Sequence, residues 1–207
     1  MIYVEGLSGC RNLQVLTVHG HSCITAESAE HTLSLLSHCH IPDNISKLSA
    51  LTELVLDIMP NADPADMPWL YQLTGLQSLQ LQLFGDAAMY LGTELAALSN
   101  LRALYVSLNE MGVDQCFVYV NTKWELMHSL QHVTFKGRAG SFCFWTATLN
   151  LVNAPNLRSL SFGQWQLTHI DPSEVQLFEL VVHELTLKRP DVRVLIFESQ
   201  PVQRGQW

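Results

Sequence analysis

One string of residues recurs along this chain and limits what it can fold into more than any other feature. Its form is L-x-x-L-x-L, with Val or Phe standing in for some leucines. It reads NLQVLTV at Leu13, Leu16 and Val18, ALTELVL at Leu51, Leu54 and Leu56, and GLQSLQL at Leu76, Leu79 and Leu81. It continues as NLRALYV at Leu101, Leu104 and Val106, SLQHVTF at Leu130, Val133 and Phe135, NLRSLSF at Leu157, Leu160 and Phe162, and DVRVLIF at Val192, Leu195 and Phe197. The first positions lie 38, 25, 25, 29, 27 and 35 residues apart. A self-similarity of roughly 20–29 residues marks a stack of structural repeats, and the two longer intervals then hold insertions, at 22–44 and 165–188.

In each L-x-L the two apolar residues fall on one face of a short strand and the residue between them on the other. Parallel stacking of such strands gives one continuous sheet. No single repeat can bury its own leucines; its neighbours do so, and stability becomes nearly a sum along the stack. The whole of 1–207 reads as one such domain.

Composition agrees with a folded chain. Hydrophobic residues make up 48% of it and charged residues 14%, far from the low-hydrophobicity, high-charge corner of disordered chains. No apolar run approaches the roughly 20 residues of a membrane-spanning helix, and MIYVEGLSGC lacks the basic and apolar regions of a secretory leader. The five cysteines are odd in number and scattered, with no CxxC pair. They read as reduced thiols of an intracellular protein, and the sequon at Asn44 as chance. The net charge of −8 is uneven: residues 1–100 hold two basic and ten acidic residues, and 101–207 hold nine of each. That balance argues against a duplex nucleic-acid binder, which needs many cations to displace counterions, and points to acidic groups that keep an apolar-rich stack in solution.

The repeat string resembles the leucine-rich repeat superfamily. LSGCRNLQVLTV and LVNAPNLRSLSF are similar to its cysteine-containing subclass, common in F-box/leucine-rich-repeat proteins, and HIPDNISKLSALTELVL resembles the plant-type subclass, with Ile41-Pro42 opening the convex segment. The resemblance implies an α/β solenoid of about seven repeats: a curved parallel sheet with a helical or irregular convex side. It further implies a protein-interaction module that grips its partner with the concave face of the sheet. A rival implication is the substrate-recognition part of an F-box-type ubiquitin ligase, which a helical F-box upstream would mark. One departure stands out. The family places Asn three residues past the last strand leucine, and here only Asn109 fits.

The insertions have their own patterns. TAESAEHTLSLLSHC predicts a helix capped at Thr25 or Ser22, with Ala29, Leu33 and Leu36 at helical spacing and Pro42 ending it. Asp171-Pro172-Ser173-Glu174 predicts a second helix start, with Val175, Phe178, Val182 and Leu185 as its buried stripe. CFVYV at 116–120 and FCFW at 142–145 predict convex strands or aromatic plugs. MIYVEGLSGCRN holds no cap, so the strand at Leu16 and Val18 is expected to leave an uncovered edge where the chain self-associates, and the chain is expected to be part of a longer protein.

Three rows of residues are expected to line the open face. The row after the first leucine includes Gln77, Arg102, Gln131, Arg158 and Arg193. The row between the paired strand residues includes Gln80, Tyr105 and Ile196, and the row after the strand includes Gln82 and Lys136. Arg and Tyr are favoured interface anchors, so Gln77, Gln80, Gln82, Arg102, Tyr105, Gln131, Lys136, Arg158 and Arg193 are the candidate binding residues, for a protein partner. His19, His21 and Cys23, followed by His38-Cys39-His40, have soft and imidazole groups suited to zinc but not the spacing of a standard finger, so no metal and no cofactor is expected. No G-x-S-x-G, HExxH, Walker A or G-x-G-x-x-G occurs, His183-Glu184 lacks a second His, and Asp63 and Asp66 sit in a Pro-rich stretch, so the chain does not read as an enzyme.

Overall fold

The computed structural model describes residues 10, 12–19, 32–36, 46–58, 68–84, 88–91, 93–109, 117–120, 122–136, 150–165 and 172–198. Its strands are β1 (Val15–His19), β2 (Thr32–Leu36), β3 (Glu53–Ile58), β4 (Ser78–Phe84), β5 (Ala88–Leu91), β6 (Ala103–Asn109), β7 (Phe117–Val120), β8 (His132–Lys136), β9 (Ser159–Trp165) and β10 (Arg193–Glu198), with one α-helix among the described residues, α1 (Pro172–Lys188). Eight strands form a single sheet in the order β10-β9-β8-β6-β4-β3-β1-β2, every pair parallel. β5 and β7 make a second, two-stranded parallel sheet on the path between the main strands, which accounts for the CFVYV run. The FCFW run lies outside the described residues. An all-parallel sheet with few helices is an α/β, solenoid-like fold.

The register explains the recurring string. Leu54, Leu79, Leu104, Val133 and Leu160 pair across successive strands, and so do Leu56, Leu81, Val106, Phe135 and Phe162. All ten are at most 1% exposed. Between strands the chain returns through short 3-10 turns at Leu70–Gln72, Thr93–Ala97, Trp124–Leu126 and Leu151–Asn153. Each turn buries one apolar residue (Leu70, Leu95, Trp124, Leu151), then a second three residues later (Leu73, Leu98, Met127, Ala154). The amide of the next buried residue then donates back to that second residue's carbonyl, as Leu76 does to Leu73 at 3.0 Å and Leu101 to Leu98 at 3.0 Å. Trp124 fills a place that leucine holds elsewhere; its indole Nε1–H is buried and finds no acceptor among the described residues, a cost on the order of 1–3 kcal/mol set against its large buried volume.

Side chains tie one turn to the next. Asn100 Nδ2 donates to the carbonyl of Thr74 at 2.8 Å, and Asn156 Nδ2 to that of His128 at 2.6 Å. Both asparagines precede the first leucine of the string, a different place from the one the family resemblance singled out. At the C-terminal end Arg189 performs a similar task with more bonds. Its Nη1 donates to the carbonyls of Val152 (3.1 Å) and Ala154 (2.8 Å), and its Nη2 to that of Leu157 (3.1 Å). Nε and Nη2 also grip Asp191 bidentately at 2.9 and 2.8 Å.

Three expectations from the sequence are corrected. Within the stretch predicted as a helix, 32–36 is a strand: Leu33 pairs with Leu16 and Leu35 with Val18, so the alternation in TLSLL prevails over the helical spacing of Ala29, Leu33 and Leu36. The rest of 20–45 lies outside the described residues. Consequently β1 is not an edge strand; it has β3 on one side and β2 on the other, and the uncovered edge expected at Leu16 and Val18 is paired. In α1, which begins at Pro172 as the start signal predicts, the buried residues are Phe178, Val181 and Leu185, with Val182 half-buried beside them; the side chain of Val175 lies outside the described residues. Phe178 meets Phe162 edge-on at 5.3 Å between ring centroids, and Phe162 stacks on Phe135 at 6.3 Å, so the helix closes the aromatic end of the core. Lastly, β10 is shifted by one residue. Val194, not Leu195, pairs with Leu160, and Ile196 pairs with Phe162.

Candidate binding face

Strand alternation puts every second residue on the face away from the leucine core. Register then sorts these residues into three rows that run across the stack. The first row is Val15, Glu53, Ser78, Ala103, His132, Ser159 and Arg193. The second is Thr17, Val55, Gln80, Tyr105, Thr134, Ser161 and Leu195, and the third includes Gln82, Ser107, Lys136 and Gly163.

Four candidate residues stand where the sequence places them: Gln80 and Tyr105 in the middle row, Gln82 and Lys136 in the third, all half-buried. Gln77, Arg102, Gln131 and Arg158 sit one residue before the strands. Their amides form a ladder of their own: Gln77 donates to the carbonyl of Thr52, Arg102 to Gln77, Gln131 to Arg102 and Arg158 to Gln131, each at 2.8 Å. Their side chains, exposed or half-buried, edge the face at the strand entry. Arg193 belongs elsewhere. The slip of β10 pairs it with Ser159 in the first row rather than with Arg158, and puts Leu195, not Ile196, in the middle row.

Apart from Arg193, the first row was not among the sequence candidates, although its signal is simple. Counting back by two from Gln82 through Gln80 reaches Ser78, not Gln77. This row carries a specific contact: His132 Nδ1 and Ser159 Oγ share a hydrogen bond at 2.8 Å, the donor depending on the ring tautomer. A Ser–His pair suggests a nucleophile with its base, but no acidic group orients the ring among the described residues, and the pair lies on an open sheet.

The floor of the face is closely packed. Ser107 and Ser161 are each only 8% exposed. Gly163 leaves room for its neighbour across the strands: a Cβ there would stand 3.7 Å from Lys136 Cγ, so the Lys136 stem lies against β9. Because the strand backbones are spent on the ladder, only side chains face outward, and they are mostly hydroxyls, amides, a phenol and cations, with Val15, Val55, Ala103 and Leu195 as apolar members and Glu53 as an acidic one. Such a surface can donate and accept hydrogen bonds and attract charge over a broad, rigid area.

Among the described residues no group of three or more His, Cys, Asp or Glu could hold a metal ion; His21, Cys23, His38, Cys39 and His40 lie outside them, and so does the side chain of His19. No described helix is long and apolar enough to cross a membrane. In comparisons with known proteins, no protein-family model matches the chain, and no curated protein matches it either.

Proposed function

We propose that this chain is a leucine-rich repeat solenoid that serves as a protein-interaction module, with the open face of the eight-stranded sheet as its contact surface. The observation that carries this reading is the in-register stack itself. Five successive strands bury the L-x-L pair of the string at 0–1% exposure, while the residues between fall on the open face, where Gln80, Tyr105 and Thr134 are half-buried polar neighbours. Burial of one set and display of the other is the division of labour that solenoids use for extended binding surfaces. Tyr105 lies at the centre of that face, between Gln80 and Thr134, where a large amphipathic ring is a good anchor.

The test is site-specific photo-cross-linking. A photoreactive amino acid is placed at Gln80 or Tyr105 on the open face, and at Glu125 or Leu126 on an exposed return turn, the latter 50% exposed. Discrete adducts from Gln80 and Tyr105, and none from Glu125 and Leu126, are the expected result. Adducts confined to the turn positions, or no adduct from the face in any extract, would refute the assignment.

A further inference from the structure

We propose that the β6–β10 half of the open face seats an acidic segment of the partner protein; this rests on the interaction reading above and names the chemistry of its occupant. The argument is one of charge placement. Arg102, Lys136, Arg158 and Arg193 all fall on or at the entry of β6, β8, β9 and β10, four strands that are consecutive in the sheet. His132 lies among them. With strands about 4.8 Å apart and about 3.3 Å per residue along each, the backbone positions of these groups span a patch on the order of 14 Å by 17 Å. That is the footprint of a short extended segment.

No carboxylate stands in the three rows of this half. Glu53 of the first row is on β3, at the other end of the sheet. Asp191, the nearest acid before Arg193 in the chain, is held by Arg189. None of the four cations forms an ion pair among the described residues, whereas Lys188 and Arg189, off the face, have Glu184 and Asp191. Arg102, Arg158 and Arg193, with no ion pair among the described residues, repel one another at the strand entry, and a complementary anion relieves that repulsion. By backbone position Arg158 lies about 6 Å from Arg193 and about 10 Å from Arg102, near the Debye length of about 8 Å at physiological salt, while Lys136 stands about 16 Å from them, so the arginines act together on one end of a bound acidic segment and Lys136 on the other. The chain as a whole carries −8, so any attraction for an acidic segment is local to this patch. Thr134, half-buried in the middle row among the cations, offers a hydroxyl for a hydrogen bond to a carboxylate or backbone.

The experiment measures fluorescence anisotropy of a labelled octapeptide of alternating Glu and Ser against its Gln–Ser counterpart. Two triple variants of equal charge change are compared with the unaltered chain: Lys136→Gln, Arg158→Gln and Arg193→Gln on the face, and Lys47→Gln, Lys123→Gln and Lys188→Gln off it. The expected result is binding of the Glu peptide at least tenfold tighter than the Gln peptide, weakened at least tenfold by the face variant and less than twofold by the other. Equal binding of the two peptides, which needs no variant to observe, or equal loss in both variants, overturns the proposal. If the peptides overturn it while cross-links still form at Gln80 and Tyr105, only the charge assignment falls; if the cross-links fail too, the open-face reading falls with it.

Discussion

Arg189 offers the sharpest test of how the C-terminal end of the stack is held. Its side chain is 18% exposed and all five of its N–H donors are engaged, three by carbonyls of the preceding turn and strand entry and two by Asp191. Arg189→Met keeps most of the apolar stem and removes every one of these bonds. Charge-assisted hydrogen bonds are worth roughly 1.5–3 kcal/mol when buried. Here the carbonyls are only part-buried, and water replaces some of what is lost, so about 1 kcal/mol for each of three gives a loss of about 3 kcal/mol. Arg189→Lys restores the charge, but an ammonium is a point donor that cannot reach three carbonyls and a bidentate carboxylate together; about half the loss should remain. Urea unfolding measures the total. Amide exchange measures where it falls, since a stack held by nearest-neighbour interfaces loses stability locally: α1 and β10 should exchange faster while β4 and β6 keep their protection. A loss below about 0.5 kcal/mol for Arg189→Met, or one spread evenly over all strands, would refute the reasoning.

Three further outcomes follow from the same geometry. Leu104→Ala, in a strand held on both sides by β4 and β8, should cost about 3–5 kcal/mol because the cavity cannot collapse, and a near-zero change in the unfolding midpoint would contradict the register. Gly75 sits where Asn100 and Asn156 sit in their repeats, with a Cβ position 3.2 Å from the carbonyl oxygen of Ser49; Gly75→Asn should therefore exceed Gly75→Ala in stability by about 1 kcal/mol, the worth of one such hydrogen bond, and equal melting of the two would dismiss the asparagine rung. The Arg189 hydrogen bond holds the Asp191 carboxyl below its ordinary range; a depressed folded value means its stabilising effect is complete above the unfolded carboxylate pKa of about 3.9 and fades as pH falls through the lower folded value, so the stability gap between the natural chain and Asp191→Asn should be constant near neutrality and close only in acid, and a gap that widens on acidification would reverse the sign.

Much of the fold was legible because the string encodes both faces of each strand. Leu79 and Leu81 announce the core, and Gln80 between them announces the open face. Other parts were hidden for identifiable reasons. The stretch TAESAEHTLSLL satisfies a helical and a two-residue period at once, and the arbiter is a neighbour far along the chain: β1, which offers Leu16 and Val18 as partners for Leu33 and Leu35. Trp124 was hidden because nothing in its immediate surroundings marks a turn residue as the successor of Leu70 and Leu95. The bonds of Asn100, Asn156 and Arg189 end on backbone carbonyls, which every residue carries, so their targets are set only when one turn is laid on the next.

The open face of the sheet was legible to within one residue, and that residue matters. In the preceding repeats the buried turn residue and the first buried strand residue are three apart, as Leu157 and Leu160 are. In the last repeat α1 replaces the 3-10 turn. Val192 still donates its amide to the residue three before it, Arg189, yet Val194, only two beyond Val192, pairs with Leu160. The sequence conceals this, because DVRVLIF aligns with NLRSLSF, Arg on Arg and Phe on Phe. Val194, Leu195, Ile196 and Phe197 are all apolar, and a run of four apolar residues cannot state which of its members face the core. Hydrogen bonding to β9 decides it. The slip carries Arg193 into the row of His132 and Ser159 and turns Leu195 onto the open face, at the cost of leaving Ile196, on the core side of the last strand, 43% exposed. The basic character of the first row at this end of the sheet thus depends on the register of β10 against β9. Inserting a residue between Val192 and Arg193 would give the last repeat the three-residue spacing of the others while leaving Arg193 opposite Ser159 and Val194 opposite Leu160.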